Sequence, residues 1–198
     1  MYSWLLDASF VKAWVVFLIL FYIASLLGAS VYLLLPEDLR VRVESWVREY
    51  YESRIPSVGL NPVTLFLIIL VNNSVVVILT WLLSITIVFP IVVIAVNGLI
   101  LGLVVPFAIR AGESLGSNVD YITLFLTLAP HGVIEVPAIA LVSSAFIIAF
   151  TRGFREFLSS MPGVLIVALA MILVAAAVES TISLLLGLIA QVVAILLP

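Results

Sequence analysis

The run from Ala13 to Leu35 contains no charged residue, and it limits the possible folds of the chain more than any other feature. A helix needs about 20 apolar residues to cross the hydrocarbon core of a bilayer, so this run is long enough. The whole chain is 65% hydrophobic and 10% charged, whereas soluble domains are about 45–50% apolar and about 25% charged. The sequence therefore predicts an integral membrane protein, with the lipid bilayer as its main partner and the plasma membrane as its location.

The first half of the chain predicts three membrane spans. Trp14 and Tyr32 lie near the ends of the first run, where aromatic side chains favour the membrane interface. The next apolar block is too long for one crossing, so we expect helices near Pro62–Ser84 and Ile85–Ile109 with a reversal between them. A segment rich in Gly and Ser, Arg110–Asp120, then predicts a loop.

The second half predicts an interrupted helix and a final span. Pro130 disfavours helical geometry at the residue before it, so we expect a half-helix at Tyr121–Leu128 and a longer helix at about Gly132–Phe150. A loop at Thr151–Gly163 and a last span within Val164–Pro198 follow. The predicted fold class is all-α: a polytopic bundle of about five transmembrane helices with broken or re-entrant half-helices.

Residues 37–60 form a charged insertion after the first span, within a single transmembrane domain covering residues 1–198. The first part of the insertion has apolar residues at helical spacing, which predicts an amphipathic helix and loop outside the membrane. This helix either lies solvated on the membrane or on its own bundle, or it docks a partner. Its acids outnumber its arginines, so we do not expect a general sensor of anionic lipid.

Composition and missing motifs argue against several functions. A net charge of −3 without a basic patch indicates no nucleic-acid partner, and the absence of cysteine excludes disulfides and thiolate metal sites. The sequence has no phosphate-binding loop, no Gly-x-Ser-x-Gly motif and no pair of aspartates inside the predicted spans. We therefore expect no catalytic residues, no cofactor and no enzymatic activity.

His131 and Glu135 are the most unusual residues of the apolar core. They are four apart, so on a helix they share one face, and the helix-breaking residues Pro130, Gly132 and Pro137 surround them. Three interpretations stay open: an internal hydrogen-bonded pair, a binding or proton-relay site in a cavity, and a metal site. The last needs a third ligand, from Glu179 or an asparagine, and we do not predict it.

Other polar residues complete the predicted intramembrane site: Asn72, Asn73, Asn97 and Glu179. For the asparagines we favour structural hydrogen bonds between helices. The segments that begin at Thr64 and Thr123 align without gaps and place Asn72-Asn73 opposite His131-Gly132. This indicates an internal repeat with polar groups at helix breaks, a plan found in transporters.

Three motifs in a fixed order resemble the stage II sporulation protein M family of membrane proteins: "LFLIILVNN", "NGLILG" at Asn97–Gly102 and "PHGVIE" at Pro130–Glu135. The resemblance covers about Asn61 to Val142. It implies a polytopic scaffold, because the bacterial namesake works with cell-wall hydrolases during spore engulfment; that role is not carried over to this chain. The family often has glycines between the positions of Asn73 and Asn97, and this sequence has none.

Two function classes follow. The first is a non-enzymatic scaffold or component of a membrane complex, homo-oligomeric or bound to other membrane proteins. The alternative is a transporter or channel-like protein for a small solute or ion, with a polar site at the His131/Glu135 helix break.

Overall fold

A computed structural model describes residues 7–52, 61–114 and 131–196, and every regular element within those ranges is helical. The α-helices are α1 (Ala8–Leu34), α2 (Glu37–Glu52), α3 (Pro62–Leu82), α4 (Val88–Ser114), α5 (Val136–Ser143), α6 (Phe146–Arg152) and α7 (Phe154–Leu196). A 3-10 turn at Ser84–Thr86 joins α3 to α4, and a π-helical turn at His131–Glu135 leads into α5. The predicted all-α class is confirmed.

Four helical segments are long and apolar enough to cross a bilayer: α1, α3, Val88–Arg110 of α4 and Phe154–Ile182 of α7. A fifth crossing results if Gly132–Ser143 and Phe146–Arg152, which are bent by 40° at their junction, form one broken span. The prediction of about five spans agrees with this architecture. Spanning a bilayer as helices satisfies each backbone polar group within its own segment, which lipid requires.

Helix α5 lies at the centre of the described bundle. It contacts α1, α3, α4 and α7, whereas α1 packs mainly along α4 and α3 packs mainly along α7. From Val136 to Ala145 every residue except Pro137 is buried. The two outer helix pairs therefore enclose the broken helix between them.

Helices α1 and α4 cross with their backbones in close approach, and glycines make that approach possible. A Cβ atom built on Gly102 would lie 2.0 Å from the Ser25 carbonyl oxygen, and one on Gly28 would lie 2.4 Å from that of Leu99. Gly98 stands four residues before Gly102 and meets the Phe21 carbonyl oxygen in the same way, at 2.5 Å. This small-residue spacing is a common packing device of membrane helices.

The reversal between α3 and α4 falls where the sequence predicted it. Leu83 caps the C-terminal end of α3, and Ile87 adopts a positive φ of 59°, which turns the chain into α4. The Thr86 hydroxyl accepts a hydrogen bond from the Phe89 N–H at 3.2 Å and satisfies one free donor of the new helix. Pro90 lies in the first turn of α4, where its missing N–H costs nothing.

Three sequence-based boundaries are wrong. The predicted loop at Thr151–Gly163 is almost entirely helical, because Gly153 alone, at φ 89°, makes the turn and α7 continues through Pro162. Helix α4 extends to Ser114, so the first part of the predicted Arg110–Asp120 loop is also helical. Conversely, the predicted helix at Gly132–Phe150 is divided into a π-helical turn, α5 and α6.

The charged insertion forms α2, as its helical spacing predicted, and its place outside the membrane stays a prediction. Residues 53–60, which complete the predicted insertion, are outside the described ranges. The predicted half-helix at Tyr121–Leu128, Pro130 and most of the second copy of the predicted repeat also lie outside them.

Asp7 anchors the start of α1. One carboxylate oxygen accepts hydrogen bonds from the N–H groups of Ser9 (2.8 Å) and Phe10 (3.2 Å), which is the usual N-cap arrangement. The other oxygen lies 2.7 Å from a terminal guanidinium nitrogen of Arg152, the last residue of α6. Asp7 therefore ties the beginning of α1 to the end of the broken central helix.

We expect Asp7→Asn to weaken this tie only where Asp7 is ionised, since asparagine keeps the cap but not the charge. The Arg152 hydrogen bond, followed by those from the backbone, holds the pKa of Asp7 below its ordinary value of 3.8. A lowered folded-state pKa stabilises the fold above pH 3.8 and loses that effect as the pH falls through the lowered value. Thermal unfolding in detergent should therefore separate wild type from the variant at neutral pH and not in strong acid. An equal difference at both pH values would contradict the assignment.

Candidate functional site

The broken central helix begins with the π-helical turn His131–Glu135, and Pro137 follows in the first turn of α5. In a π-helix each N–H bonds the carbonyl five residues earlier. Pro137 has no N–H, so it cannot donate to the carbonyl of Gly132 in this pattern. The sequence therefore leaves the Gly132 carbonyl without a helical donor at the break.

Helix α1 supplies hydrogen bonds to this break. The Tyr22 hydroxyl donates to the Gly132 carbonyl oxygen at 3.1 Å, and the Trp14 indole N–H donates to the Pro137 carbonyl oxygen at 3.0 Å. Both bonds join residues more than a hundred positions apart in the chain. The Tyr22 bond satisfies the carbonyl that Pro137 frees, as neighbouring helices commonly do in membrane proteins, and the Trp14 bond adds a second link to the same helix.

Helix α3 holds the break from another side. Glu135 is 1% exposed, and its Oε1 accepts a hydrogen bond from the Asn73 side-chain amide at 2.6 Å. A carboxyl group in a bundle interior needs such a partner, because its transfer out of water is costly. The structure thus brings together two of the predicted site residues from segments that are 62 positions apart.

The other predicted site residues occupy varied surroundings. The Asn72 amide nitrogen is 3.5 Å from the Asn73 side-chain oxygen, and Asn97 donates to the Val93 carbonyl of its own helix at 2.8 Å. Glu179 is half-buried on α7. The backbone of His131 lies in the π-helical turn, but its side chain is outside the described part. The predicted His131–Glu135 pair and the predicted contact between His131 and Glu179 therefore stay predictions.

One prediction about the asparagines is wrong. Asn72 and Asn73 were expected at a helix break equivalent to the one at His131, but α3 runs without interruption from Pro62 to Leu82. Asparagine keeps its backbone N–H, and no glycine or proline lies near the pair, so nothing removes a helical hydrogen bond there. Asn73 instead contributes its side chain to the break in the central helix.

Sequence reasoning missed the role of the aromatic residues. Trp14 was assigned to the membrane interface, whereas its indole bonds the central helix, and Trp81 likewise donates to the Met161 carbonyl on α7 at 2.9 Å. Both are amphipathic rings with a single donor, and a buried indole N–H usually finds an acceptor. The available signal was the indole donor itself, since a tryptophan inside an apolar span needs an acceptor on a neighbouring helix.

Within the described residues, no group of three His, Cys, Asp or Glu side chains is arranged to hold a metal ion. The chemistry that these residues offer is hydrogen bonding by a buried carboxyl group, an amide, a phenol and an indole.

The fold and this site define a class: a polytopic α-helical membrane protein whose broken central helix is bonded to the helices around it. The particular family follows from the sequence, because the family model of Stage II sporulation protein M matches residues 15–184. The chain belongs to that family, as its three motifs predicted. Comparisons with curated proteins and with solved structures find no match.

Proposed function

We propose that this protein is a non-enzymatic component of the plasma membrane that acts as a scaffold, holding further copies of itself or other membrane proteins. The observation that supports this best is the Asn73–Glu135 hydrogen bond of 2.6 Å at a carboxyl group that is 1% exposed. Together with the bonds from Tyr22 and Trp14, it fixes the break in the central helix to α1 and α3. A break bonded from two sides suits a rigid framework better than a gate.

The alternative is a transporter or channel-like protein, and one observation favours it. Glu135 is an ionisable residue within the bundle, at a discontinuous helix, which is where transporters place their binding sites. In that function the carboxyl group would exchange its Asn73 bond for a proton or cation during each cycle.

Glu135→Gln separates the two functions. Glutamine keeps a side-chain oxygen that can accept from Asn73, but it removes the ionisable group. A scaffold predicts unchanged unfolding in a denaturing-detergent titration, and the same set of membrane proteins co-purifying in mild detergent. A transporter predicts a folded protein that has lost proton flux, followed in liposomes with an entrapped pH-sensitive dye.

Glu135→Leu is the matched control because it removes the acceptor as well. We expect it to lower the free energy of unfolding by about 1–3 kcal/mol, the cost of leaving a buried hydrogen-bonding group without its partner. Wild-type protein that transports protons, or that purifies as a monomer without associated proteins, would overturn the scaffold proposal.

A further inference from the structure

A pocket of about 560 Å³ lies where α1, α2 and α4 meet. Its lining combines apolar residues with one tyrosine and two arginines: Ala29, Tyr32, Leu33, Arg40, Val105, Pro106, Ile109 and Arg110. The last turns of α1 and of the α4 span supply most of the wall, and Arg40 of α2 supplies the rest. The described lining residues include two guanidinium groups and no carboxyl group.

The helices place this pocket at the boundary between hydrocarbon and water. The α1 segment that can span a membrane ends at Leu34, the α4 segment ends at Arg110, and the charged helix α2 begins at Glu37. The ends of both segments contribute to the same pocket. Lipid phosphates occupy this level of a bilayer, just outside the hydrocarbon core.

Helix α2 is fastened over the pocket by polar contacts. The Tyr32 hydroxyl donates to a Glu44 carboxylate oxygen at 2.6 Å, and Arg40 donates to the carbonyl oxygen of Leu35 at 2.9 Å. The outer side chains of α2 include Leu39 and Trp46, both exposed, which suits a helix lying in the interface. These bonds therefore hold α2 in place over the pocket at the membrane surface.

The two arginines retain capacity for an anion. Arg110 bonds both oxygens of Glu37 and lies 3.7 Å from Glu44, but the Glu37 side chain is 61% exposed. An ion pair so open to water is weak and readily exchanged. Arg40 contacts Glu37 at 3.2 Å, and its Nε has no hydrogen-bond partner within the described structure. When Glu37 moves away, the described contacts leave two guanidinium groups and one carboxylate, that of Glu44 beside Arg110.

We infer that this pocket binds the headgroup of an anionic glycerophospholipid. The phosphate replaces Glu37 on Arg110 and bonds Arg40, because guanidinium groups match phosphate geometry. The glycerol and the first part of an acyl chain lie against Leu33, Val105 and Ile109. The excess of one positive charge after Glu37 leaves favours an anionic headgroup over a zwitterionic one. This is a discrete site, distinct from the general lipid sensing that the acidic balance of α2 argues against.

Native mass spectrometry of the full chain in detergent tests the inference, with phosphatidylglycerol and phosphatidylcholine of equal chain length as probes. Wild type should retain phosphatidylglycerol preferentially. Arg110→Gln should weaken its retention about fivefold, the typical effect of one basic residue at a membrane surface. Arg152→Gln, which removes the arginine paired with Asp7, the N-cap of α1, should leave retention unchanged.

Glu37→Gln gives the sharpest result, because removing the competing carboxylate should strengthen phosphatidylglycerol binding. If the Arg110–Glu37 pair has only a structural role, Glu37→Gln should not strengthen phosphatidylglycerol binding. Excess inorganic phosphate should not displace the lipid; displacement at millimolar phosphate would indicate a site for the free ion and overturn the lipid assignment. Equal retention of both lipids, or an unchanged Arg110→Gln, would overturn the site itself.

Discussion

Gly102→Leu should separate α1 from α4 and lower the free energy of unfolding by about 3 kcal/mol, the upper end for overpacking. The first side-chain carbon would already lie 2.0 Å from the Ser25 carbonyl oxygen. Since this neighbour is backbone, no change of rotamer relieves the clash, and one helix must move away from the other. That movement also separates Gly28 from α4 and Gly98 from α1.

Gly132→Ala is the control for this prediction. A Cβ atom at Gly132 meets nothing within 4 Å, so adding a side-chain carbon there should leave stability nearly unchanged. Denaturing-detergent titrations of both variants, followed by circular dichroism, make the comparison. Similar unfolding midpoints for the two would show that α1 and α4 do not cross as closely as described.

Phe21→Ala should cost about 3–5 kcal/mol of unfolding free energy, because it removes a large side chain from a packed site. Phe21 is 0% exposed, and its ring contacts that of Tyr22 edge to face at a centroid distance of 5.4 Å. The cost persists in a membrane, because a cavity between helices loses packing contacts that lipid tails cannot replace.

Leu26→Ala, on the same helix, is the matched control for Phe21→Ala. Leu26 is 70% exposed, so its side chain meets lipid in the folded protein and leaves no cavity when shortened. We expect a small effect in the same detergent titration. A loss as large as that of Phe21→Ala would mean that another protein chain, and not lipid, covers this face of α1.

The sequence specified the fold class well because its strongest signals concern where segments begin and end. Pro36 follows the end of α1, and Asn61-Pro62 begins α3, where the asparagine side chain accepts the N–H of Val63 at 2.7 Å and proline takes the first helical position. These signals act locally, through one residue's side chain or its missing N–H. They are therefore readable without knowledge of the packing.

Which faces of the helices pack together could not be predicted from such local signals. In water, the apolar stripe of a helix marks its buried face, but in lipid both faces are apolar. Leu34 at 83% exposure and Phe21 at 0% lie on the same helix and differ little in hydrophobicity. Only small and polar residues distinguish the faces, and Gly98-x-x-x-Gly102 was such a signal. These two glycines belong to the family motif at Asn97–Gly102, and the motif alone does not say which helix they contact.

The Asn73–Glu135 bond shows the same limit for the site. Sequence reasoning selected both residues, since intramembrane polar groups are conspicuous, but it paired Glu135 with His131 through their spacing of four. A spacing rule reports only contacts within one helix. One partner that the structure gives Glu135 lies on α3, and finding it requires the arrangement of helices that apolar sequences leave undetermined.

The central position of α5 sets an order for the protein's assembly in the membrane. Helices α1, α3 and α4 precede α5 in the chain, but α7, which also packs against it, follows it. During synthesis the ribosome therefore releases α5, with Glu135 at its start, before the enclosure is complete. Until α7 enters the bilayer, the insertion machinery or the lipid itself must shelter this segment, so the core around α5 closes only after α7 has been inserted.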